Sequence, residues 1–249
     1  MAALPTRAVF LADAHLSNPD DENYIALLNF LESQSGHLDH LVLLGDIFEF
    51  WAGNRRQLLD IYKPFIDQLK FLLNSGTQLT YVEGNHDFDL GRHFENRLKC
   101  KILPNGGPID LDGQKIYLVH GDLANPADFG YRFLRWLLRS FFMRTLIRNL
   151  PANIVLKIAN QSARSSRSKT AAKRQRWPVK DLLIPYAEEI LYKGYSTVLV
   201  GHFHQPFRQK VAHGELISLG DWITQYSYVV YENGAFELKH YSGASTDEF

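Results

Sequence analysis

Among 249 residues the chain has a single cysteine, Cys100. That excludes an internal disulfide and any metal site built from several thiolates, and it fits a reducing compartment. No stretch reaches the ~20 uninterrupted apolar residues needed to cross a bilayer. The N-terminus lacks the basic, apolar and small-residue order of a signal peptide, so the expected location is the cytoplasm. No internal repeat is visible. One further absence is local. Between Phe129 and Lys180 there is no Asp or Glu, yet thirteen Lys and Arg. The remaining 14 basic and 27 acidic residues give the rest of the chain a net charge of −13, although the whole chain is neutral. Such a split predicts either a basic insertion facing something anionic or a solvated helical surface.

An apolar fraction of 45% suits a protein with a substantial core. Apolar runs predict strands at Ala8–Ala12, Leu41–Leu44, Leu79–Val82, Lys115–Val119 and Thr197–Val200, with more near 208–211, 216–219, 227–231 and 236–239. Helical periodicity marks Asn23–Ser33, Leu58–Leu73, Tyr131–Leu150 and Val179–Tyr192. Strands alternate with helices in the first half, and the last third is strand-rich. The pattern predicts a layered α/β fold with two central sheets, organised as one domain over 1–249 with a helical insertion at 123–195.

Five of the apolar runs stop at the same kind of residue. They lead into Asp13-Ala14-His15, Gly45-Asp46, Gly84-Asn85-His86-Asp87, His120-Gly121-Asp122 and Gly201-His202-Phe203-His204. In open α/β sheets the carboxyl ends of the strands line one crevice, so these five ends converge. A lone Asp-x-His means little, because most histidines are satisfied within a core or a loop. Five such ends together carry weight. Asp13, His15, Asp46, Asn85, His120, His202 and His204 supply carboxylate, imidazole and amide oxygen. That mixture suits Mn²⁺, Fe²⁺ or Zn²⁺. Seven ligands exceed the needs of one four-coordinate ion and fit two ions about 3.5–4 Å apart, bridged by a carboxylate.

The blocks DAH, GDIFEFW, GNHD, HGD and GHFH resemble the five motifs of the calcineurin-like metallophosphoesterase superfamily, over roughly residues 7–241. The resemblance implies a four-layer α/β/β/α sandwich with a two-metal centre, Mn²⁺ being the first expectation. GDIFEFWAG and the helical insertion after HGD are similar to the UDP-2,3-diacylglucosamine pyrophosphohydrolases of lipid A synthesis. By this resemblance Asp13, His15 and His204 hold one ion, Asn85, His120 and His202 the other, and Asp46 bridges them. His86 would contact a phosphoryl oxygen or protonate the leaving group, and the carboxylate of Glu49 would orient His86. Asp87 reads instead as a cap for the turn that follows it. Two positions depart from that family, which commonly has Arg where this chain has His86 and Asp where it has Asn54. The departure concerns the substrate, not the metals.

Within the insertion, Asp128-Phe-Gly-Tyr131 is similar to the family's D-x-x-Y. Asn160, Arg164 and Arg167 fall where the family places polar residues around nucleotide and phosphates. From Phe129 to Leu150, large apolar residues alternate with Arg132, Arg135, Arg139 and Arg148. The stretch has two readings. It packs on neighbouring helices, or it caps acyl chains while its arginines meet anionic headgroups at a membrane surface. The implied reaction is cleavage of UDP-2,3-diacylglucosamine to UMP and 2,3-diacylglucosamine 1-phosphate. A nucleotide phosphodiesterase or nuclease is the alternative, with the basic insertion tracking a nucleic-acid backbone. The embedding of the arginines among aliphatics argues against nucleic acid. A non-enzymatic scaffold would have lost ligands, and none is missing. The expected partner is an acylated sugar nucleotide, with peripheral membrane contact at the inner face of the plasma membrane and no obligate protein partner.

Overall fold

A computed structural model describes residues 6–52, 56–151 and 178–243. Two sheets stack face to face. In the first, β1 (Ala8–Leu11), β2 (His40–Leu43), β4 (Gln78–Val82) and β6 (Lys101–Leu103) run parallel, in that order. Antiparallel strands β12 (Ser227–Glu232) and β13 (Ala235–His240) extend it on the β1 side. The second sheet has the order β10 (Phe207–Val211), β11 (Gly214–Ser218), β9 (Thr197–Val200), β8 (Gln114–Val119), β7 (Gly107–Leu111). Its central pairs β11–β9 and β9–β8 are parallel. A short parallel pair joins β3 (Trp51–Ala52) to β5 (Asp87–Phe88).

Strand alternation assigns each side chain to a layer. In β1, Val9 and Leu11 face outward with Leu41, Leu43, Leu79 and Tyr81. They meet buried residues of three helices: α1 (Glu22–Ser33), α2 (Arg56–Asn74) and α3 (Gly91–Leu98). Ala8, Phe10 and Ala12 face the other way and pack with Ile116, Leu118, Leu199 and Ile217 of the second sheet. The outer face of that sheet, Val198, Val200 and Leu216, is covered by Leu183, Ala187, Ile190 and Leu191 of helix α6 (Val179–Leu191). These layers are the α/β/β/α sandwich that the motif blocks imply. The last helix expected in the 123–195 insertion thus forms the fourth layer.

Every predicted strand is present within a residue or two of its expected bounds. The periodic run Tyr131–Leu150 is two helices, α4 (Phe129–Leu138) and α5 (Phe141–Asn149). Ser140 interrupts it. Its hydroxyl accepts from the N–H of Met143 at 3.2 Å and starts the second helix. Strands β3, β5, β6 and β7 and helix α3 went unpredicted, because their apolar segments are short or broken by Pro, Gly and Asn.

Candidate metal centre

The five loops lie together because β1, β2 and β4 are parallel neighbours in one sheet, β8 and β9 are parallel neighbours in the other, and the two sheets stack. The loops after β1 and β2 are zipped by backbone hydrogen bonds: Asp13 N–H to the Gly45 carbonyl at 3.1 Å, His15 N–H to that of Asp46 at 3.0 Å. The N–H of His202, 189 residues from Asp13, donates to Asp13 Oδ2 at 2.7 Å and ties the two sheets at the site. Gly45 and Gly84 admit this closeness. A Cβ on Gly45 would stand 2.6 Å from His120 Nδ1 and 2.8 Å from the Gly84 backbone, and one on Gly84 would collide with the Asp46 carboxylate. Asp13, His15, Asp46, His202 and His204 all have left-handed φ between 47° and 68°. Five strained non-glycine residues on seven expected ligands is the clustering found at functional sites.

Three groups of side chains that could hold a cation result among the described residues, one of them His15, Glu49 and His86. The two that match the expected ligands are Asp13, His15 and His204, and Asp46, His120 and His202. Asn85 joins the second, with Oδ1 3.2 Å from His120 Nε2. Asp46 Oδ2 stands 3.9 Å from His15 Nε2 and 3.4 Å from His120 Nε2, so it faces both groups. Three imidazoles are oriented alike. The Nδ1 of His120 donates to the Leu44 carbonyl at 2.8 Å. That of His15 is 3.4 Å from Glu49 Oε2, and that of His204 is 3.3 Å from Asp221 Oδ2. In each case an oxygen holds Nδ1 and Nε2 points at the carboxylates, as metal-ligating histidines are held.

Asp13 Oδ1 supplies a fit test for a cation. It is buried without a hydrogen-bond donor, its near neighbour being His204 Nε2 at 3.5 Å. A buried carboxylate oxygen without a donor is costly unless a cation faces it. Burial raises Asp13 above the usual carboxylate range. Asp46 is held well below it: burial opposes, but the neighbouring imidazoles, His120 first, prevail. Burial also works against charge on His120, yet the Asp46 carboxylate pushes it up to about 10. For His202, burial and then His120 bring it down to about 3, leaving a neutral ring with a free lone pair. The donor set is oxygen and imidazole throughout, and it fits divalent cations.

Around this centre the structure refines three expectations. His86 donates its backbone N–H to Asp46 Oδ1 at 2.9 Å, and its ring stands edge-on to His15 at 4.7 Å. Its Nδ1 donates to the backbone carbonyl of Glu49 at 2.8 Å. Glu49 therefore orients His86 through its main chain, and its carboxylate faces His15. The cause is the β3–β5 pairing, in which Trp51 N–H donates to the His86 carbonyl at 2.8 Å. Asp87 does not cap the turn that follows it, because all its donors precede it in sequence. Its buried carboxylate accepts from Asp46 N at 2.9 Å, Ile47 N at 2.7 Å, Gly84 N at 2.9 Å and the Tyr81 hydroxyl at 2.5 Å. Burial, with the Asp46 charge, raises Asp87 to about 6.

Asp221 escaped the sequence reading. It follows Leu219-Gly220 at the end of β11, so a sixth apolar run stops at Gly-Asp, and that signal was available. Burial opposes its ionisation, but hydrogen bonds from His204 and from three backbone N–H groups hold it well below the usual range.

The arginines of α4 and α5 are a correction. The alternation with apolar residues left them open to headgroups, but Arg132, Arg135, Arg139 and Arg144 grip the protein itself, while the side chain of Arg148 lies outside the described residues. Arg139 Nη1 is 3.0 Å from Glu83 Oε2, and Arg135 Nε is 2.6 Å from Asp122 Oδ2. Arg132 donates to the Leu123 carbonyl, and Arg144 reaches Asp89 at 3.4 Å. Part of the acid-poor segment thus faces acids elsewhere in the chain. The apolar residues of the same helices remain outside: Phe129 is 77% exposed, Trp136 66%, Phe141 86% and Phe142 74%. Asp128 caps α4 by accepting from Tyr131 N at 3.1 Å. The Tyr131 hydroxyl donates to Asp122 Oδ2 at 2.6 Å, and its ring lies 6.5 Å from that of His202. Asn160, Arg164 and Arg167 lie outside the described residues.

The family model for calcineurin-like phosphoesterases matches residues 6–206. The chain belongs to that family. It is a metal-dependent phosphoester hydrolase. The chain is 30% identical to a UDP-2,3-diacylglucosamine hydrolase of Histophilus somni (strain 129Pt), over 87% of this chain and 92% of that one. It is 31% identical to the protein of the same name from Aeromonas salmonicida (strain A449), over 93% and 92%. Among solved structures, the phosphoesterase Yfce from E. coli aligns over 94% of this chain and 93% of its own, at 18% identity and a TM-score of 0.48. As a calcineurin-like phosphoesterase, the chain carries the family's five motif blocks complete.

Proposed function

We propose that this phosphoesterase hydrolyses the diphosphate of UDP-2,3-diacylglucosamine, releasing UMP and 2,3-diacylglucosamine 1-phosphate, as a step of lipid A biosynthesis. The observation that carries the reading is the exposed apolar face of α4 and α5, borne on helices anchored beside the metal centre. An exposed apolar face of this extent marks a contact surface, and beside a diphosphate-cleaving site a substrate with alkyl chains would use it. The two curated relatives, matched over about nine-tenths of the chain, support the same substrate. On this reading residues 1–249 are one metallophosphoesterase domain, and 123–195 carries its substrate-reading part.

Two divalent cations at this centre would polarise the phosphoryl group, activate water and neutralise developing negative charge. Asp13, His15 and His204 would hold one, Asn85, His120 and His202 the other, with Asp46 shared. The oxygen-and-imidazole donors favour Mn²⁺, with Fe²⁺ or Zn²⁺ as alternatives. His86 keeps Nδ1–H on the Glu49 carbonyl, so Nε2 is the atom that contacts a phosphoryl oxygen or passes a proton to the leaving group. Asn85 and His86 would bind the substrate's phosphates; Asp128 and Tyr131, with Asn160, Arg164 and Arg167, its sugar nucleotide. The apolar face would take the acyl chains and rest on the membrane's inner surface. No helix among the described residues is long and apolar enough to cross a membrane.

The test is turnover of UDP-2,3-diacylglucosamine against UDP-N-acetylglucosamine and single-stranded DNA, with Mn²⁺ present. Release of UMP from the diacylated substrate, at a kcat/KM at least ~100-fold above the other two, is the expected result. Preferential cleavage of DNA would replace this reading with the nuclease alternative. Against that alternative, Arg135 and Arg139 are engaged within the protein and do not form an open cationic track.

A further inference from the structure

Helix α4 grips the domain at two loops, and both carry ligands of the same expected ion. Arg139 Nη2 donates to the Gly84 carbonyl at 2.9 Å, one residue before Asn85. Its Nη1 donates to Glu83 Oε2 at 3.0 Å and to the Pro104 carbonyl at 2.6 Å. Glu83 is buried, and its Oε1 accepts from the N–H of Leu90 at 2.9 Å, which fixes the other side of the loop. The Arg139 guanidinium also lies over the Phe88 ring, 5.8 Å from its centroid. Four residues earlier, one helical turn away, Arg135 Nε and the Tyr131 hydroxyl both reach Asp122 Oδ2 at 2.6 Å. Asp122 is two residues after His120. Helix α4 with its C-cap residue Arg139 is therefore a strap that holds the neighbours of Asn85 and of His120 at once.

The other ion's ligands are fastened from within the sandwich. Trp222 N–H donates to the Asp13 carbonyl at 3.2 Å, Asn23 Nδ2 to the Ala14 carbonyl at 2.7 Å, and Asp221 holds His204. The two halves of the centre thus differ in what keeps them in shape.

We propose that Arg135 and Arg139 are positioning residues for the second metal site, so that seating of helix α4 and retention of the Asn85–His120–His202 ion are a single equilibrium. The physical reason is linkage: an ion that binds only the loops as the strap holds them stabilises the strapped state, and the strap in turn raises affinity for that ion. A substrate that seats the strap through its apolar face would tighten the second ion by the same factor. The inference rests on the two-metal reading and is independent of which substrate is cleaved.

The experiment is a calorimetric titration of the metal-free protein with Mn²⁺ alone, for the wild type, Arg139→Ala, Arg139→Lys and Asp221→Asn. The wild type is expected to bind two ions. Arg139→Ala should keep one at wild-type affinity and weaken the other at least ~10-fold. Arg139→Lys can reach Glu83 or Gly84 but lacks the fork to take both, so it should weaken the same ion by less. Asp221→Asn should weaken the opposite one. In parallel, hydrogen exchange of α4 amides should slow on adding Mn²⁺ to the wild type and respond little in the Arg139 variants. If Arg139→Ala does not fold, the lysine variant and the exchange measurement decide. Two ions bound by the Arg139 variants at wild-type affinities, or both weakened alike, would overturn the proposal. A wild type that binds one ion would overturn the two-metal reading with it.

Discussion

The carboxylate of Asp87 accepts from the backbone N–H of Asp46 at 2.9 Å, across 41 residues of sequence. It takes the N–H groups of Ile47, Phe48 and Gly84 as well. The loop that carries Asp46, the residue proposed to be shared between the two ions, is thus folded around the carboxylate that ends GNHD. Asp87→Ala should leave four buried N–H groups and the Tyr81 hydroxyl without their acceptor. At ~1–3 kcal/mol for each buried group left unsatisfied, less what water and relaxation recover, the loss should be on the order of 3–5 kcal/mol. Urea unfolding of the metal-free protein measures it. A loss below ~1 kcal/mol would mean the loop holds its shape without Asp87.

His86 lies beside the centre without belonging to either three-ligand group that includes Asp46 or Asp13. Replacing it with Ala should lower kcat by ~10²–10⁴-fold, the range for losing a general acid or base. Bound metal should stay at two ions, checked by elemental analysis of the purified variant. Loss of an ion would move His86 among the ligands, beside His15 and Glu49, whose side chains it also approaches.

Which parts were legible in the sequence follows from distance along the chain. The convergence of the seven expected ligands could be read because each sits at the end of an apolar run, and parallel strands bring their ends together whatever the loops do. The layers could be read from the alternation of Val9 and Leu11 with Ala8 and Phe10. The grip of Arg139 on Gly84 could not, because it spans 55 residues and its arginine looks like any other on a basic amphipathic helix. The role of Glu49 was half legible. Its position next to His86 followed from the motif, but a motif does not say whether the carboxylate or the carbonyl makes the contact. Asp221 was legible and missed, at a strand end of the same kind as the other five.

His40 gives the fold a pH dependence remote from the metals. Its Nε2 is hydrogen-bonded with Thr80 Oγ1 at 2.9 Å. Burial, with Lys101 nearby, lowers its pKa from 6.5 to about 4. The unfolded chain therefore binds a proton between pH 6.5 and 4 that the folded chain refuses. The stabilising contribution is complete above about pH 6.5 and is lost as pH falls towards 4. A shift of that size corresponds to about 3 kcal/mol, and screening at the partly exposed edge of the ring brings it nearer ~2 kcal/mol. His40→Gln should flatten the stability profile of the metal-free protein over this interval relative to the wild type. Parallel profiles for the two proteins would show that His40 titrates normally.

The last expectation separates substrate reading from folding. Trp136 and Phe141 are 66% and 86% exposed, so neither contributes a large buried area to the fold. Changing both to Ser should leave the midpoint of thermal unfolding within a few degrees of the wild type. If their exposed faces receive acyl chains, the same change removes apolar contact that exists only with substrate bound. Covering a large aromatic side chain is worth ~1.5–3 kcal/mol, so KM for UDP-2,3-diacylglucosamine should rise roughly 10-fold or more, with kcat nearly unchanged. Hydrolysis of a small chromogenic phosphodiester should be unaffected, because the ligand loops and His86 are untouched. The comparison works because Arg135 and Arg139, on the same helix as Trp136, face the domain and remain in place. An unchanged KM for the diacylated substrate would mean that the apolar face has another purpose. A fall in turnover of the small phosphodiester would mean that the double variant disturbs the strap and, through it, the metal centre.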